Sequence, residues 1–313
     1  MFKSKPLMML ITGLLLALVL WTIVQVLQKK SKDNKPTQVN IEQQNSLDAA
    51  KPTKPLSGQY ANAPASILSA VQRGVEISLN GNGVAGAGIS LLNDGKELTR
   101  TKVNDDGNWT LAFMYDIDGK PIAIDVLTVI PDGHQIRSDQ SLLVINYQHV
   151  SETQSTDVER ALLLLTAPGA HSRVLQTPYT GLPTKDGFTL EAIDYDNSGG
   201  VIFSGSSKLA GRVLIYAGKN LVGESRVDNQ GRWSLIFGNI MPLGAYNISA
   251  QLVVAGGSSV QLTLPFERMQ PLFEVEGSPK IVIEHLDDRI QIGRALFGGG
   301  YQYSVVYAPS ASK

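Results

Sequence analysis

The sequence has no cysteine and only four histidines among its 313 residues. Without cysteine the chain has no disulfide bond, no thiolate metal ligand and no cysteine nucleophile. None of the histidines (His134, His149, His171 and His285) has a second histidine four residues away, as a helical zinc motif requires. These absences indicate a protein that is not an enzyme and that binds no metal or cofactor.

An excess of charge of one sign is also lacking. Lysine and arginine total 27, aspartate and glutamate total 28, and the formal net charge is −1. Proteins that bind nucleic acid through its phosphates carry surplus basic residues, so we expect no nucleic-acid partner. With 43% hydrophobic and 18% charged residues the composition is globular, and the length allows about two domains.

The N-terminal region contains the longest apolar run of the chain, at residues 7–27. Twenty-one helical residues span about 31 Å, which is the thickness of the hydrocarbon core of a bilayer. No small-residue cleavage site follows, because the run leads directly into Lys29, Lys30 and Lys32. We therefore expect an uncleaved single-pass anchor over residues 1–30. The lysines after it slightly favour a cytoplasmic C-terminal part, whereas the five-residue head is easier to retain than to export.

A polar segment follows the anchor at residues 31–65. It contains scattered proline, glutamine, asparagine and lysine and has no periodic apolar pattern. A segment of this composition buries too little surface to order itself. We interpret it as a flexible linker that tethers the rest of the chain to the membrane.

The remainder of the sequence contains an internal repeat of strand and turn signals. The first copy includes A-G-A-G-I-S-L-L at 85–92, N-D-G-K-E-L at 93–98 and D-G-N-W-T-L at 106–111. The second includes A-G-R-V-L-I-Y at 210–216, A-G-K-N-L at 217–221 and Q-G-R-W-S-L at 230–235. Trp109 and Trp233 lie 124 residues apart.

This repeat predicts a mainly β fold. Asn-Asp-Gly and Ala-Gly are typical of hairpin turns, and many short strands at regular spacing favour sandwiches of the immunoglobulin-like type. We expect two such sandwiches, at residues 66–150 and 158–269. Trp109 and Trp233 each precede a leucine that shares their face of the strand, so both are predicted to occupy equivalent buried positions.

The motifs N-G-x-x-x-x-G-A, G-K-x-L and D-G-x-W resemble bacterial immunoglobulin-like repeats of envelope and surface proteins. The order of anchor, linker, two repeats and short tail is similar to alphaproteobacterial membrane proteins that end in a LysM peptidoglycan-binding domain. R-V-L-Q at 173–176 and P-F-E-R at 265–268 are similar to the second repeat of this group. The resemblance implies an inner-membrane protein with a periplasmic C-terminal part and peptidoglycan as its partner.

The tail, residues 279–313, resembles a small α/β LysM domain that is degenerate and truncated. The resemblance implies a strand at 281–283, a helix capped by Asp287 and Asp288, and a second helix that starts near 303. In that family the loop after the first strand contacts glycan. The candidate glycan contacts are therefore Leu286, Asp287, Asp288, Arg289 and Ile290. Because the second glycan-contacting loop is missing, we expect weak sugar binding or none.

Two shorter motifs imitate ligand sites. Residues 81–86 match the dinucleotide pattern G-x-G-x-x-G, but residues 89–92 have strand character where that site needs a helix, so we interpret them as a turn. Residues 194–199, D-Y-D-N-S-G, imitate the start of a calcium loop. Position 12 of that loop would be Gly205 instead of glutamate, and we interpret the motif as a hairpin turn.

The sequence leaves three functions open. The leading hypothesis is a non-catalytic, single-pass envelope protein associated with peptidoglycan. The second is a membrane-tethered immunoglobulin-like scaffold that binds another envelope protein without binding glycan. The third, a glycan-processing enzyme, would need a cleft with two carboxylates, which a sequence alone cannot establish.

Overall fold

The computed structural model describes residues 63–115, 120–146, 161–178, 184–270, 281–286, 288–296 and 300–307. The predicted anchor at residues 7–27 and nearly all of the predicted linker lie outside these ranges. Within them, no helix is long and apolar enough to cross a membrane. By its internal contacts the chain divides into Met1–Leu56 and Ser57–Lys313, and every described residue belongs to the second unit.

The first half of the described chain forms two antiparallel sheets. Its strands are β1 (Ser66–Arg73), β2 (Glu76–Asn82), β3 (Gly88–Asn93), β4 (Lys96–Lys102), β5 (Asn108–Met114), β6 (Ile122–Val129), β7 (Gln135–Asn146), β8 (Ala161–Thr166) and β9 (Arg173–Gln176). Sheet 1 has the strand order β1-β2-β5, and sheet 2 has the order β4-β3-β6-β7-β8-β9. The apolar faces of the two sheets pack together as the first sandwich.

The second half repeats this plan. Its strands are β10 (Thr184–Lys185), β11 (Phe188–Thr189), β12 (Ala192–Asp196), β13 (Val201–Ser206), β14 (Gly211–Ala217), β15 (Asn220–Arg226), β16 (Arg232–Phe237), β17 (Gly244–Val254), β18 (Ser259–Arg268), β19 (Ile281–His285), β20 (Arg289–Ala295) and β21 (Tyr301–Tyr307). Sheet 3 has the order β16-β13-β12-β21-β20-β19, and sheet 4 has the order β15-β14-β17-β18. These two sheets form the second sandwich, and β10 pairs with β11 as a separate hairpin.

Period-two alternation explains why these segments form strands. In β5, Trp109, Leu111 and Phe113 are buried while the residues between them are exposed. Successive side chains of a strand point to opposite faces, so this pattern places one face in the core and the other in water. The predicted mainly β fold is confirmed.

The internal repeat extends to single hydrogen bonds. The side-chain oxygens of Asn104 and Asp228 each accept hydrogen bonds from the backbone amides two and four residues further on, at 2.8–3.1 Å. The amide of Val103 donates to Ala87, and that of Val227 donates to Gly211. Each pair of equivalent positions is 124 residues apart, so the two sandwiches share the geometry of their turns as well as the pairing order of their seven equivalent strands.

A third apolar core joins the two sandwiches. Sheet 2 contributes Leu143, Ile145, Leu162 and Leu164, and sheet 3 contributes Ala192, Ile290, Ile292 and Val306. All eight side chains are at most 2% exposed. The strands of sheets 2 and 3 that contribute to this core are therefore covered on both faces, and the described chain is a stack of four sheets with three cores between them. We call the contact of sheets 2 and 3 the junction.

The tail differs from the predicted LysM-like structure. The prediction of a helix after Asp287 and Asp288 is wrong, because Arg289–Ala295 is strand β20. The prediction of a second helix is also wrong, because Tyr301–Tyr307 is strand β21. The expected strand at 281–283 is present within β19. The reason is the pairing: β21 hydrogen-bonds to β12, and β20 to β21, so the tail completes sheet 3. Likewise β8 and β9 extend sheet 2 of the first sandwich, although the sequence pattern grouped residues 161–176 with the second.

Candidate functional site

The residues expected to contact glycan form a tight hairpin turn between β19 and β20. The amide of Leu286 donates to the carbonyl of Arg289 at 2.9 Å, and Arg289 pairs with Asp288 at 2.8 Å. Ile290 is 2% exposed and belongs to the junction core. Asp287 lies outside the described residues. The described members of this set thus belong to the hairpin turn or to the junction core. None of them lines either of the two cavities described below.

The two tryptophans occupy the equivalent buried positions that the repeat predicts, with exposures of 2% and 3%. Trp109 lies opposite Gly81 on the neighbouring strand, and Trp233 lies opposite Gly205. A Cβ atom on either glycine would come within 2.8 Å of the indole ring and within 2.1 Å of a backbone oxygen. Each indole therefore packs directly against a glycine, and both tryptophans are core residues.

A buried polar cluster lies at the junction around Asp194. Its carboxylate accepts hydrogen bonds from the backbone amide and the hydroxyl of Ser172, both at 2.6 Å, and from the hydroxyl of Ser304 at 2.5 Å. Ser172 belongs to the loop between β8 and β9, while Asp194 and Ser304 are paired residues of sheet 3. The cluster therefore connects the first sandwich to the second.

Burial determines the electrostatics of this cluster. Asp194 is 2% exposed, and loss of water around the carboxylate raises its pKa from 3.8 to about 6. The hydrogen bonds from Ser172 and Ser304 and the positive charge of Arg294 act in the opposite direction. A buried carboxylate is stabilised only through such donors, which accounts for the three short hydrogen bonds.

A cavity of about 630 Å³ opens beside the cluster, between the edges of sheets 2 and 3. We call it the junction cavity. Its apolar wall includes Ile122, Ala123, Ile281 and Leu296, and its charged wall includes Asp125, Arg137 and Arg294. Arg137 pairs with Asp125, which also accepts a hydrogen bond from Ser141 at 2.6 Å. The cavity thus combines an apolar body with a buried guanidinium, which is the composition of small-molecule sites.

A second cavity, of about 490 Å³, lies at the opposite edge of the junction and is more polar. Three arginines line it, Arg173, Arg226 and Arg232, together with His171 and Asp228. Burial and the charges of Arg232 and Arg173 lower the pKa of His171, so the imidazole is neutral at physiological pH. Arg232 already faces Glu191 at 3.8 Å. This cavity is a mixed-charge cleft in which the arginines are partly compensated.

The two ligand-like motifs are turns, as interpreted from the sequence. Residues 81–86 run from the end of β2 into the turn before β3. In the other motif, the side chain of Asp196 accepts hydrogen bonds from the amides of Ser198, Gly199 and Gly200 at 2.9–3.2 Å, which closes the β12–β13 hairpin.

Sequence reasoning missed Asp194 and Arg294 as junction residues. Asp194 attracted notice only within the calcium-like motif, and Arg294 only as part of an expected helix. A usable signal exists in both segments. Ala192, Asp194 and Asp196 alternate with Ile193 and Tyr195, and Arg294 continues the alternate series of Ile290 and Ile292. Such alternation predicts strands, and a charged residue on the same face as buried apolar residues lies beside them in the core.

Neither a protein-family model nor a curated protein sequence matches the chain. Two solved structures illustrate its similarities. The central fibronectin-III array of RIM-binding protein is 12% identical, with 66% of this chain and 98% of that chain covered and a TM-score of 0.21. A Ca²⁺-stabilised adhesin with which an Antarctic bacterium binds ice is 10% identical, with 78% and 90% covered and a TM-score of 0.19. The function must therefore be argued from this chain's own residues.

Proposed function

We propose that this protein is a non-catalytic, membrane-anchored scaffold of the cell envelope, in which two immunoglobulin-like sandwiches act as one rigid body and bind another envelope protein. The observation that carries the proposal is the junction. Eight apolar side chains, none more than 2% exposed, join sheets 2 and 3. A buried core of this kind holds two domains in one orientation, whereas polar contacts alone allow them to move.

The carboxylate with the raised pKa favours a scaffold over an enzyme. Asp194 is enclosed by Ser172 and Ser304, and it lines neither cavity. A general acid must reach a substrate, so this carboxyl has a structural role in the proposal. Attachment to the inner membrane through residues 7–27 and a periplasmic location for the sandwiches are further parts of the proposal.

Association with peptidoglycan remains a prediction with less support than the scaffold. The LysM comparison depended on a helix after Asp288, and Arg289–Ala295 is a strand instead. Ile290, one of the expected contacts, lies in the junction core. The scaffold proposal needs no glycan site and uses exposed apolar side chains such as Ile236 on the edge strand β16.

Photo-cross-linking of the full chain in intact cells tests the proposal. Ile236 and Ile240 are apolar side chains that are 66% and 72% exposed, and they suit a photoreactive residue. We expect one discrete protein adduct from these positions and none from Lys102, an exposed polar control on sheet 2. Adducts that consist only of peptidoglycan, and disappear on muramidase digestion, would overturn the scaffold in favour of glycan binding.

A further inference from the structure

Arg294 is a buried cation without an ion-pair partner in the described part of the chain. It is 8% exposed. One Nη donates to Oε1 of Gln302 at 3.1 Å, and the Nε is buried with no hydrogen-bond partner. Removing a charge from water is costly unless an opposite charge or a full set of hydrogen bonds replaces the water. Arg294 therefore has no compensating negative charge within hydrogen-bond reach among the described residues.

The carboxylates nearest to Arg294 are already engaged. Asp125 pairs with Arg137 and accepts from Ser141, and Asp194 accepts from Ser172 and Ser304. Both act on Arg294 through longer-range attraction, while burial lowers the pKa of the guanidinium. No described residue forms an ion pair with Arg294, and its side chain lines the junction cavity, so an anion bound there would supply the opposite charge.

The charges around the cavity determine which anion fits. Lys120, Arg137 and Arg294 are positive, while Asp94 and Asp125 are negative, so the described lining residues carry one net positive charge. A monoanion balances this charge, whereas a phosphate dianion would meet the carboxylate of Asp125. A planar guanidinium presents its N–H groups in a fixed fork, which matches the two oxygens of a carboxylate.

The rest of the cavity wall is apolar. Ile122, Ala123, Ile281 and Leu296 face the same space as Arg294. We propose that the junction cavity binds a small aliphatic carboxylic acid, with the carboxylate on the guanidinium of Arg294 and the alkyl chain against this apolar wall. The cavity of about 630 Å³ lies within the usual size range of small-molecule sites.

Binding of short carboxylates to the full-length chain in lipid nanodiscs tests this site. Saturation-transfer NMR measures the binding. The probes are hexanoate, butanoate and hexanamide, and empty nanodiscs give the background. We expect hexanoate to bind, its affinity to exceed that of butanoate by about fourfold per methylene group, and hexanamide to bind at least tenfold more weakly. Equal binding of hexanoate and hexanamide would overturn the site.

Two variants and a matched control locate the probe. Arg294→Gln removes the charge and should weaken hexanoate binding about 10- to 100-fold. Ala295→Trp fills the mouth of the cavity from an exposed position and leaves Arg294 in place, so it tests the site even if Arg294→Gln unfolds. Arg212→Gln, on an exposed arginine of β14 that pairs with Glu224, should bind hexanoate like the parent chain. Unchanged binding in Ala295→Trp would place the probe elsewhere and overturn the proposal.

Discussion

Single residues at fixed places in the two repeats determine how each sandwich core is filled. The indole of Trp233 lies over Gly205, and its Nε1 donates to the carbonyl of Thr189 at 3.1 Å. The indole of Trp109 lies over Gly81 and donates to Asn82 at 3.3 Å. Because any side chain on either glycine would collide with the ring, the tryptophan and the glycine form one packing unit that occurs twice.

Replacing one member of this unit should destabilise its own sandwich. We expect Trp233→Ala to lower the free energy of unfolding by about 3–5 kcal/mol, because it leaves a large cavity in the second core. Chemical denaturation of the full chain measures the loss. As a control, Trp21→Ala lies outside the repeats and should leave the denaturation midpoint of the sandwiches unchanged. A loss below 1 kcal/mol for Trp233→Ala would contradict the core assignment.

The pKa of Asp194 predicts a pH dependence of stability at the junction. Its pKa rises from 3.8 to about 6 on folding, so between these values the folded chain binds more protons than the unfolded chain. The stability from this group is therefore complete below pH 4 and is lost as the pH rises through 6, by about 3 kcal/mol in all. We expect the stability difference between the parent chain and Asp194→Asn to fall between pH 4 and pH 7. A difference that stays constant over this range would contradict the pKa shift.

At the scale of elements, strand β8 shows how one segment serves two cores. Leu163 and Leu165 point into the first sandwich, while Leu162 and Leu164 point into the junction. All six residues of β8 are buried, which is the pattern of a strand covered on both faces. The run A-L-L-L-L-T has no alternation, and this is why the sequence alone could not assign it to one sandwich.

Neighbouring leucines of β8 provide a matched pair of variants. Leu163→Ala and Leu164→Ala should each cost about 2–5 kcal/mol of unfolding free energy, since both side chains are fully buried. Their local effects should differ. Leu164→Ala should speed amide hydrogen exchange at Ser172 and along β12, whereas Leu163→Ala should speed it in β2 and β5. The same exchange pattern in both variants would show that the junction is not a separate core.

Strand β20 shows a different difficulty, because its sequence pattern and the family resemblance predict different structures. The segment R-I-Q-I-G-R-A has Ile290 and Ile292 two residues apart, which fits a strand, while the LysM resemblance favoured a helix. The structure follows the local alternation, because pairing with β21 satisfies the backbone of both strands and buries the two isoleucines against sheet 2. Here a physical pattern in seven residues was a better guide than a family resemblance.

At the scale of the whole molecule, much of the architecture could be predicted from the sequence. The repeat, the mainly β fold and the burial of the tryptophans follow from turn chemistry and alternation, which are local. The four-sheet stack does not follow, because it depends on pairings between distant segments such as Asp194 with Ser304. The candidate site could not be predicted for the same reason, since Arg137 and Arg294 line one cavity only after sheets 2 and 3 have packed.

The central position of β21 in sheet 3 has a consequence for biosynthesis. Ala192 pairs with Val306, which the ribosome adds 114 residues later. At about 5–20 residues per second, β12 of the nascent chain waits on the order of ten seconds for its neighbour. Meanwhile one hydrogen-bonding edge of a strand that is buried in the folded protein stays open to foreign strands. The strands of the first sandwich have no such delay. During synthesis the nascent chain therefore contains a folded first sandwich and an incomplete second sandwich, and the incomplete one needs protection from aggregation.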